Sequence, residues 1–297
     1  MYFSNTIKSS FLILIIICFI SCSKSNRENE FHEQLIGNWK TDYVNAYSQE
    51  TAYIFSFRDS TCSYLQPYGE FSQYWISGDT LMIKEKTQRG RSQVYEGKLT
   101  FKFLIDSLTA DLLTLKPITA ETKELLNIDI AVDTAYIKLT KVKTQYNWKP
   151  EYIAFYSTGC LGACPIMYLE IDSARNINFI GGRFTEKTGS NSGKVPLQLY
   201  NRVLSEINSI NLDTLKPWYD ANWTDDQTCG VLIHTKDTIY KSSAYGFDEE
   251  PVELRILFHT LMELYKNVEL MEDTTVENKL RYRDFTIDGY PVPPKRE

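Results

Sequence analysis

The residues best placed to do chemistry lie in one stretch, Cys160-Leu-Gly-Ala-Cys164-Pro165. Two thiols four positions apart can close a disulfide, exchange with another disulfide, or hold a soft metal. As a disulfide the loop is short, and closing it restricts the unfolded chain by only about 2 kcal/mol on the loop-length relation. Such a bridge sets shape more than it adds stability, with Gly162 supplying the positive φ that a tight turn can need. As a Cu(I) site, the two thiolates would take a third ligand from His234 or His259. As structural zinc, Cys160, Cys164, Cys229 and His234 give the count and ligand types of a closed site. Positions 229 and 234 have opposite parity on one predicted strand, however, and so point to opposite faces. The disulfide is the leading reading, because the chain carries an export signal (below) and exported thiols meet an oxidising compartment.

Other chemistries find less support. The run Asp220-Ala-Asn222-Trp-Thr224-Asp225-Asp226 sets oxygen side chains at alternate positions, like the start of a calcium loop. The central Gly is missing and Val231 stands where the twelfth-position Glu belongs, so these residues read as turn formers. There are three histidines, His32, His234 and His259, and no Gly-x-Ser-x-Gly, His-Glu-x-x-His or phosphate-loop pattern. The acidic run Asp248-Glu249-Glu250 precedes a predicted helix, where it favours the positive end of the dipole. The expectation is a non-enzymatic protein with no cofactor and no resident metal.

The elements that must position the cysteines come next. A strand, Tyr152–Tyr156, leads into the stretch. After Pro165, Met167, Leu169 and Ile171 alternate with Tyr168, Glu170 and Asp172, the period of a strand. A further strand, Asn176–Ile180, runs into Gly181-Gly182. From Pro196 a helix places Leu197, Tyr200, Val203, Leu204, Ile207 and Ile210 at helical spacing. A Trp- and Asp-rich loop (217–228) precedes a hairpin turned at Lys236-Asp237, and a last helix starts near Pro251. The order β-β-β-α-β-β-α predicts an α+β domain over 150–268, an antiparallel sheet with two helices.

Cys160, Gly162, Cys164, Pro165, Gly181-Gly182 and Thr224-Asp225 carry a resemblance. They resemble the pattern of a domain-of-unknown-function family of Bacteroidota lipoproteins, marked by Cys-x-Gly-x-Cys-Pro after the first strand. The chain departs from that pattern in having Met167 where an aromatic often sits, with Tyr168 one place later, and in carrying Cys229. The family lends no activity. The Cys-x-x-x-Cys-Pro spacing is also similar to the copper-chaperone thioredoxin-like proteins that serve cytochrome oxidase. That resemblance implies a helix after the motif, lowering a thiol pKa at its N-terminus, and the alternation after Pro165 speaks against it.

The region 35–143 opens with Leu-Ile-Gly-Asn-Trp-Lys and continues as short β-type runs at regular spacing. Examples are Thr51–Phe57, Ser63–Tyr68, Phe71–Ile76, Thr80–Lys84, Lys98–Ile105, Leu112–Lys116 and Thr134–Leu139. Phe101 and Phe103 share one face, with Lys102 opposite. Turn signals at Pro67-Tyr68-Gly69, Ser77-Gly78-Asp79 and Arg89-Gly90 separate the runs, which predicts an up-and-down barrel or a sandwich. Gly37-x-Trp39 followed by strand after strand resembles the bacterial lipocalin-like domains. That resemblance implies a small barrel with Trp39 across its closed end and an open end for a small apolar ligand. Ile118–Val132 reads as a helical turn or loop before the last strand. Cys62 reads as a buried free thiol.

Residues 1–22 give the address. Lys8 is followed by an apolar run, Phe11–Ile20, about half the length that spans a bilayer. Phe19-Ile20-Ser21-Cys22 resembles a lipobox, which implies removal of 1–21 and lipidation of Cys22. Residues 22–34 are polar and read as a flexible tether. Ser23 in place of an acidic residue points to the outer membrane by analogy with known sorting rules. The formal charge of −6 has no basic stripe, which excludes a nucleic-acid partner. The aromatic content of 13%, with twenty Tyr, suits β structure. Expected behind the anchor are two domains, an all-β lipocalin-like barrel and the α+β domain, with Thr144–Pro150 as a joint and 269–297 as a polar tail. The partners expected are the membrane, through the lipid, and a small apolar ligand or an envelope protein.

Overall fold

The computed structural model describes residues 28–41, 44–46, 49–51, 53–64, 72–88, 94–126, 128–131 and 133–286. The expected export signal and the expected lipidation site Cys22 lie outside the described residues. Among the described residues no helix is long and apolar enough to cross a membrane. Two compact units divide the chain, one of residues up to Thr87 with Val94–Val142 and one that runs from Lys143 onward.

The first unit opens with helix α1 (28–35), so the expected flexible tether gives way to packed structure by residue 28. Two apolar side chains four positions apart account for this: Leu35 is buried and Phe31 packs against the same core. The His32 ring stacks 5.8 Å from Tyr74, and Glu28 accepts the Gly78 N–H at 2.7 Å. So short an apolar pattern is diluted by the polar residues around it.

Then follow β1 (Gly37–Lys40), β2 (Val44–Ala46), β3 (Gln49–Thr51), β4 (Ile54–Phe57), β5 (Thr61–Tyr64), β6 (Ser72–Ser77), β7 (Thr80–Gln88), β8 (Val94–Leu108), β9 (Leu112–Pro117), α2 (Ala120–Leu125) and β10 (Ile137–Lys141). Strands β4 to β10 pair in chain order, and β1 joins β10 to β4 to close an eight-stranded barrel. Strands β2 and β3 form a separate ribbon. Closure removes the exposed edges. The alternation works as expected at Phe101 and Phe103, which both point into the core. Phe55 lies 6.0 Å from Phe57 and 6.2 Å from Phe103 between ring centroids, so described side chains fill this part of the interior. Cys62 is a free, buried thiol whose pKa burial pushes up.

The Gly37-x-Trp39 pair has a local explanation. Gly37 turns the chain from α1 into β1 with a φ of 128°, a value that L side chains rarely adopt. Trp39 then donates its indole N–H to Leu35 O at 2.8 Å, and Lys141 Nζ donates to Gln34 O at 2.9 Å. Both bonds satisfy carbonyls at the C-terminus of α1, where a cation also meets the negative end of the dipole. The ammonium of Lys141 lies 4.9 Å from the Trp39 ring centroid.

The second unit contains β11 (Tyr152–Ser157), β12 (Met167–Asp172), β13 (Asn176–Gly181), β14 (Gly189–Lys194), α3 (Leu197–Ile207), β15 (Trp218–Asp220), β16 (Thr228–His234), β17 (Ile239–Tyr245), α4 (Val252–Leu264), β18 (Leu270–Glu272) and α5 (Val276–Lys279). They build one sheet in the order β15-β17-β16-β11-β12-β13-β14-β18. The β15–β17 pair is parallel, so the sheet is mixed where an antiparallel one was expected. Strands β14, β15 and β18 went unforeseen, because Gly-Ser-Asn-Ser-Gly-Lys and two three-residue pieces carry no apolar period of their own.

The core on the helix side joins Ile153, Phe155, Leu169, Ile171 and Phe179 to Val203 and Ile207 of α3 and to Leu254, Leu257, Phe258 and Leu261 of α4. The expected joint is docked rather than free: the N–H groups of Gln145 and Tyr146 donate to Asn208 O, and the Trp148 indole N–H donates to Ile210 O at 3.0 Å. The expected polar tail is also folded as far as Thr286. Strand β18 pairs with β14, and Leu280, Tyr282 and Phe285 pack on the second face of the sheet against Ala154, Tyr156, Tyr168 and Leu232.

Candidate functional site

The loop between β11 and β12 carries the cysteines. Ser157 and Met167 are register partners, so the loop leaves and re-enters the sheet at adjacent positions. Cys160 and Cys164 form a disulfide with a Cα–Cα distance of 5.6 Å. The N–H of Gly162 points at Cys160 Sγ from 3.2 Å, and Leu161 stands 84% exposed at the tip. Gly162 does not adopt the positive φ expected of it, and a Cβ there would meet only Cys160 Sγ, at 3.6 Å. The disulfide and the loop length shape this turn without a left-handed residue.

A second loop, 221–227, grips the first. The side-chain amide of Gln227, itself fully buried, donates to Thr158 O at 3.0 Å and to Pro165 O at 2.9 Å. One amide group thus ties both arms of the disulfide loop together. Ser157 Oγ also donates to Pro165 O, at 2.6 Å, and the Leu161 N–H donates to Asp225 O at 3.2 Å. Asp225 takes a φ of 71°, and Thr224 Oγ1 lies 3.4 Å from its carboxylate. Trp223 rests against Gly246, where an added Cβ would fall 2.9 Å from the indole nitrogen. That indole N–H donates to Asp226 Oδ2 at 2.9 Å, and the Gln227 N–H donates to Oδ1 at 2.7 Å. With both oxygens of Asp226 engaged, the loop works as a braced turn. Among the described residues no group of three or more His, Cys, Asp or Glu side chains is arranged to hold a metal.

The Gly181-Gly182 pair completes this end of the sheet. The Gly182 N–H donates to Ile166 O at 2.8 Å, and the Ile166 N–H donates to Arg183 O at 2.9 Å. At Gly181 a Cβ would fall 1.9 Å from Lys187 O, so only glycine lets the chain fold back there. The fold therefore brings together Cys160, Gly162, Cys164, Pro165, Gly181, Gly182, Thr224 and Asp225. Tyr168 is not part of this group; its side chain faces Glu170 and Tyr282 on the second sheet face.

The alternative ligand sets fare differently. Strand β12 begins two residues after Pro165, so the motif leads into a strand and not into the helix that would lower a thiol pKa at its N-terminus. The zinc set is not assembled. Cys229 belongs to the helix-side core, while His234 Nδ1 lies 2.7 Å from the Tyr282 hydroxyl on the other face. Burial pushes the Cys229 thiol well up.

Sequence reasoning missed Gln227 in this site and, elsewhere in the unit, Glu170 and the buried pair of Glu250 with Arg255. Gln227 carries no signal, since its partners lie more than sixty residues away in the chain. Glu170 is 2% exposed, on what alternation alone presents as a polar side. From sequence Glu250 reads as a partner of the helix dipole; in the fold it is buried, and Arg255 Nε donates to it.

No curated protein matches the chain. The span from the residue before β11 to the residue after α4, residues 151–265, matches the DUF6438 family, described as a domain of unknown function.

Proposed function

We propose that this chain is an exported lipoprotein, anchored by lipid on Cys22 at the outer membrane, which binds a ligand or an envelope partner and catalyses no reaction. Phe19-Ile20-Ser21-Cys22 at the end of a short apolar run supports the anchor. One observation carries the binding reading: the cysteine loop is a braced display. Its disulfide is closed, Gln227 holds both its arms, and a strand follows Pro165, so the apolar tip at Leu161 is presented in a fixed shape. Preorganisation of this kind lowers the ordering cost of association. The barrel, with strands paired in chain order and Trp39 over the end of α1, supports the lipocalin-like reading. The packed aromatics of its described interior shift attention to the loop end of the second unit for partner contact.

Two measurements on the full chain test this. Intact mass after membrane extraction should show residues 1–21 removed and a diacylglyceryl group on Cys22; an unprocessed or unlipidated chain rejects the address. Thiol–disulfide exchange and Cu(I) uptake should be absent from both wild type and Cys160→Ser. Either activity, present in wild type and lost in Cys160→Ser, replaces the binding reading with a thiol or copper function.

A further inference from the structure

On the sheet face opposite α3 and α4, the carboxylate of Glu170 is gripped by the last described segment of the chain. The Arg281 N–H donates to Oε2 at 2.8 Å and the Tyr282 N–H to Oε1 at 2.6 Å. The Tyr168 hydroxyl lies 2.7 Å from Oε1 and 3.0 Å from Tyr282 O, so its one proton serves the carboxylate and the segment's main chain. The side chains of the segment make the other contacts. The Tyr282 hydroxyl meets His234 Nδ1 at 2.7 Å, the Phe285 ring centroid lies 5.1 Å from that of Tyr156, and the Arg281 guanidinium stacks 4.6 Å from the Tyr152 ring centroid.

These contacts sort as peptide recognition does. Glu170 and Tyr168 read main-chain groups, which any sequence offers, and the tyrosine-lined face selects aromatic side chains three positions apart. The receiving residues all lie within the DUF6438 span, and the segment lies outside it. Any occupant that covers Glu170 displaces water from its carboxylate and so has to supply donors in its place, as the N–H groups of Arg281 and Tyr282 do.

We propose that this face is a peptide-binding site and that residues 280–285 are its occupant in cis, exchangeable with a peptide of the same chemistry. Such a peptide offers two consecutive main-chain N–H groups to Glu170 and carries aromatic side chains at the positions of Tyr282 and Phe285. The proposal concerns a face remote in kind from the cysteine loop and stands whether or not that loop binds a partner.

The probe is a fluorescent peptide of residues 279–287, followed by anisotropy against the full chain and a chain ending at Lys279. The shortened chain should bind it saturably and the full chain at least about thirtyfold more weakly, because its own segment competes. Glu170→Gln in the shortened chain should weaken binding about tenfold, and a peptide with Tyr282 and Phe285 both replaced by Ala should not bind. A folded shortened chain that ignores the peptide, or equal binding by both chains, overturns the proposal. If the shortened chain does not fold, the full chain carrying Tyr282→Ala and Phe285→Ala takes its place and should bind. Failure of that variant to bind, or to fold, makes the segment part of the core and ends the proposal.

Discussion

The side-chain nitrogen of Gln227 sits 2.9 Å from the carbonyl oxygen of Pro165, and through the same group reaches Thr158 on the opposite arm of the disulfide loop. Gln227→Leu keeps the size of the side chain and removes the donor, leaving Thr158 O to find another partner. Loss of two bonds at a buried site should cost about 1–3 kcal/mol in unfolding free energy. The disulfide of the variant should also be reduced faster by dithiothreitol, with both effects read from urea unfolding and timed thiol alkylation. Unchanged stability and reduction rate would mean that the clamp is decorative.

Removing the disulfide itself should do little to global stability. For Cys160→Ser with Cys164→Ser the loop-length relation gives about 2 kcal/mol as the entropic ceiling. The non-reducing intact mass of wild type should be two hydrogens below its reduced mass. A loss well above that ceiling would show that the bridge supports packing elsewhere in the unit.

Gly230 faces the ring of Tyr156 so closely that an added Cβ would stand 2.2 Å from Cε1 and 2.6 Å from Ser243 Oγ. The Tyr156 hydroxyl in turn lies 3.0 Å from Ser243 Oγ. Gly230→Ala should therefore destabilise the second unit by about 1–3 kcal/mol through overpacking. Adding Tyr156→Ala should cost less than the sum of the two single changes, a coupling that a double-mutant cycle of denaturation midpoints would measure. Strict additivity would place the strain elsewhere.

Burial raises the Glu250 carboxyl pKa from its ordinary value of 4.5, against the opposing pull of Arg255. A carboxyl with a raised folded pKa holds its proton more tightly in the folded chain. Its stabilising share is complete below about pH 4.5 and is lost as pH rises through the folded value. Wild type should thus lose stability relative to Glu250→Gln as pH is raised from about 4 to 8, in urea midpoints taken across that range. A difference independent of pH would show that folding leaves the Glu250 pKa unshifted.

Cys62 and Cys229 are fully buried free thiols, one in each unit. A maleimide should modify neither in native buffer. With rising urea, label on Cys62 should report the opening of the barrel and label on Cys229 that of the second unit, each assigned by peptide mass. Rapid native labelling of either one would contradict its place in the core.

Legibility followed the range of the interactions. The strand containing Phe101 and Phe103 could be read because neighbouring residues alone reveal its buried face, and the Cys160–Cys164 pairing because so short a separation limits the options. Strand β14 could not, since Gly189–Lys194 is a strand only by pairing with β13 and β18. Alternation after Pro165 gave the strand and the shared face of Met167, Leu169 and Ile171, which lies in the helix-side core. It could not show that Tyr168 and Glu170 on the opposite face are buried as well, because what covers them lies more than a hundred positions later. At the loop end, the glycines and cysteines announced themselves by type, whereas Gln227 acts entirely through distant carbonyls.

Helix α1 bears on where the barrel can stand. On the proposed anchoring, six residue steps separate Cys22 from Glu28, the first described residue of α1. Fully extended, that leash reaches about 20 Å, less than the thickness of a bilayer's hydrocarbon core. Glu28 is tied to Gly78 in the turn between β6 and β7, so that turn would be held within roughly the same height above the lipid headgroups. A partner recruited through the barrel would then have to be one that works at the membrane surface.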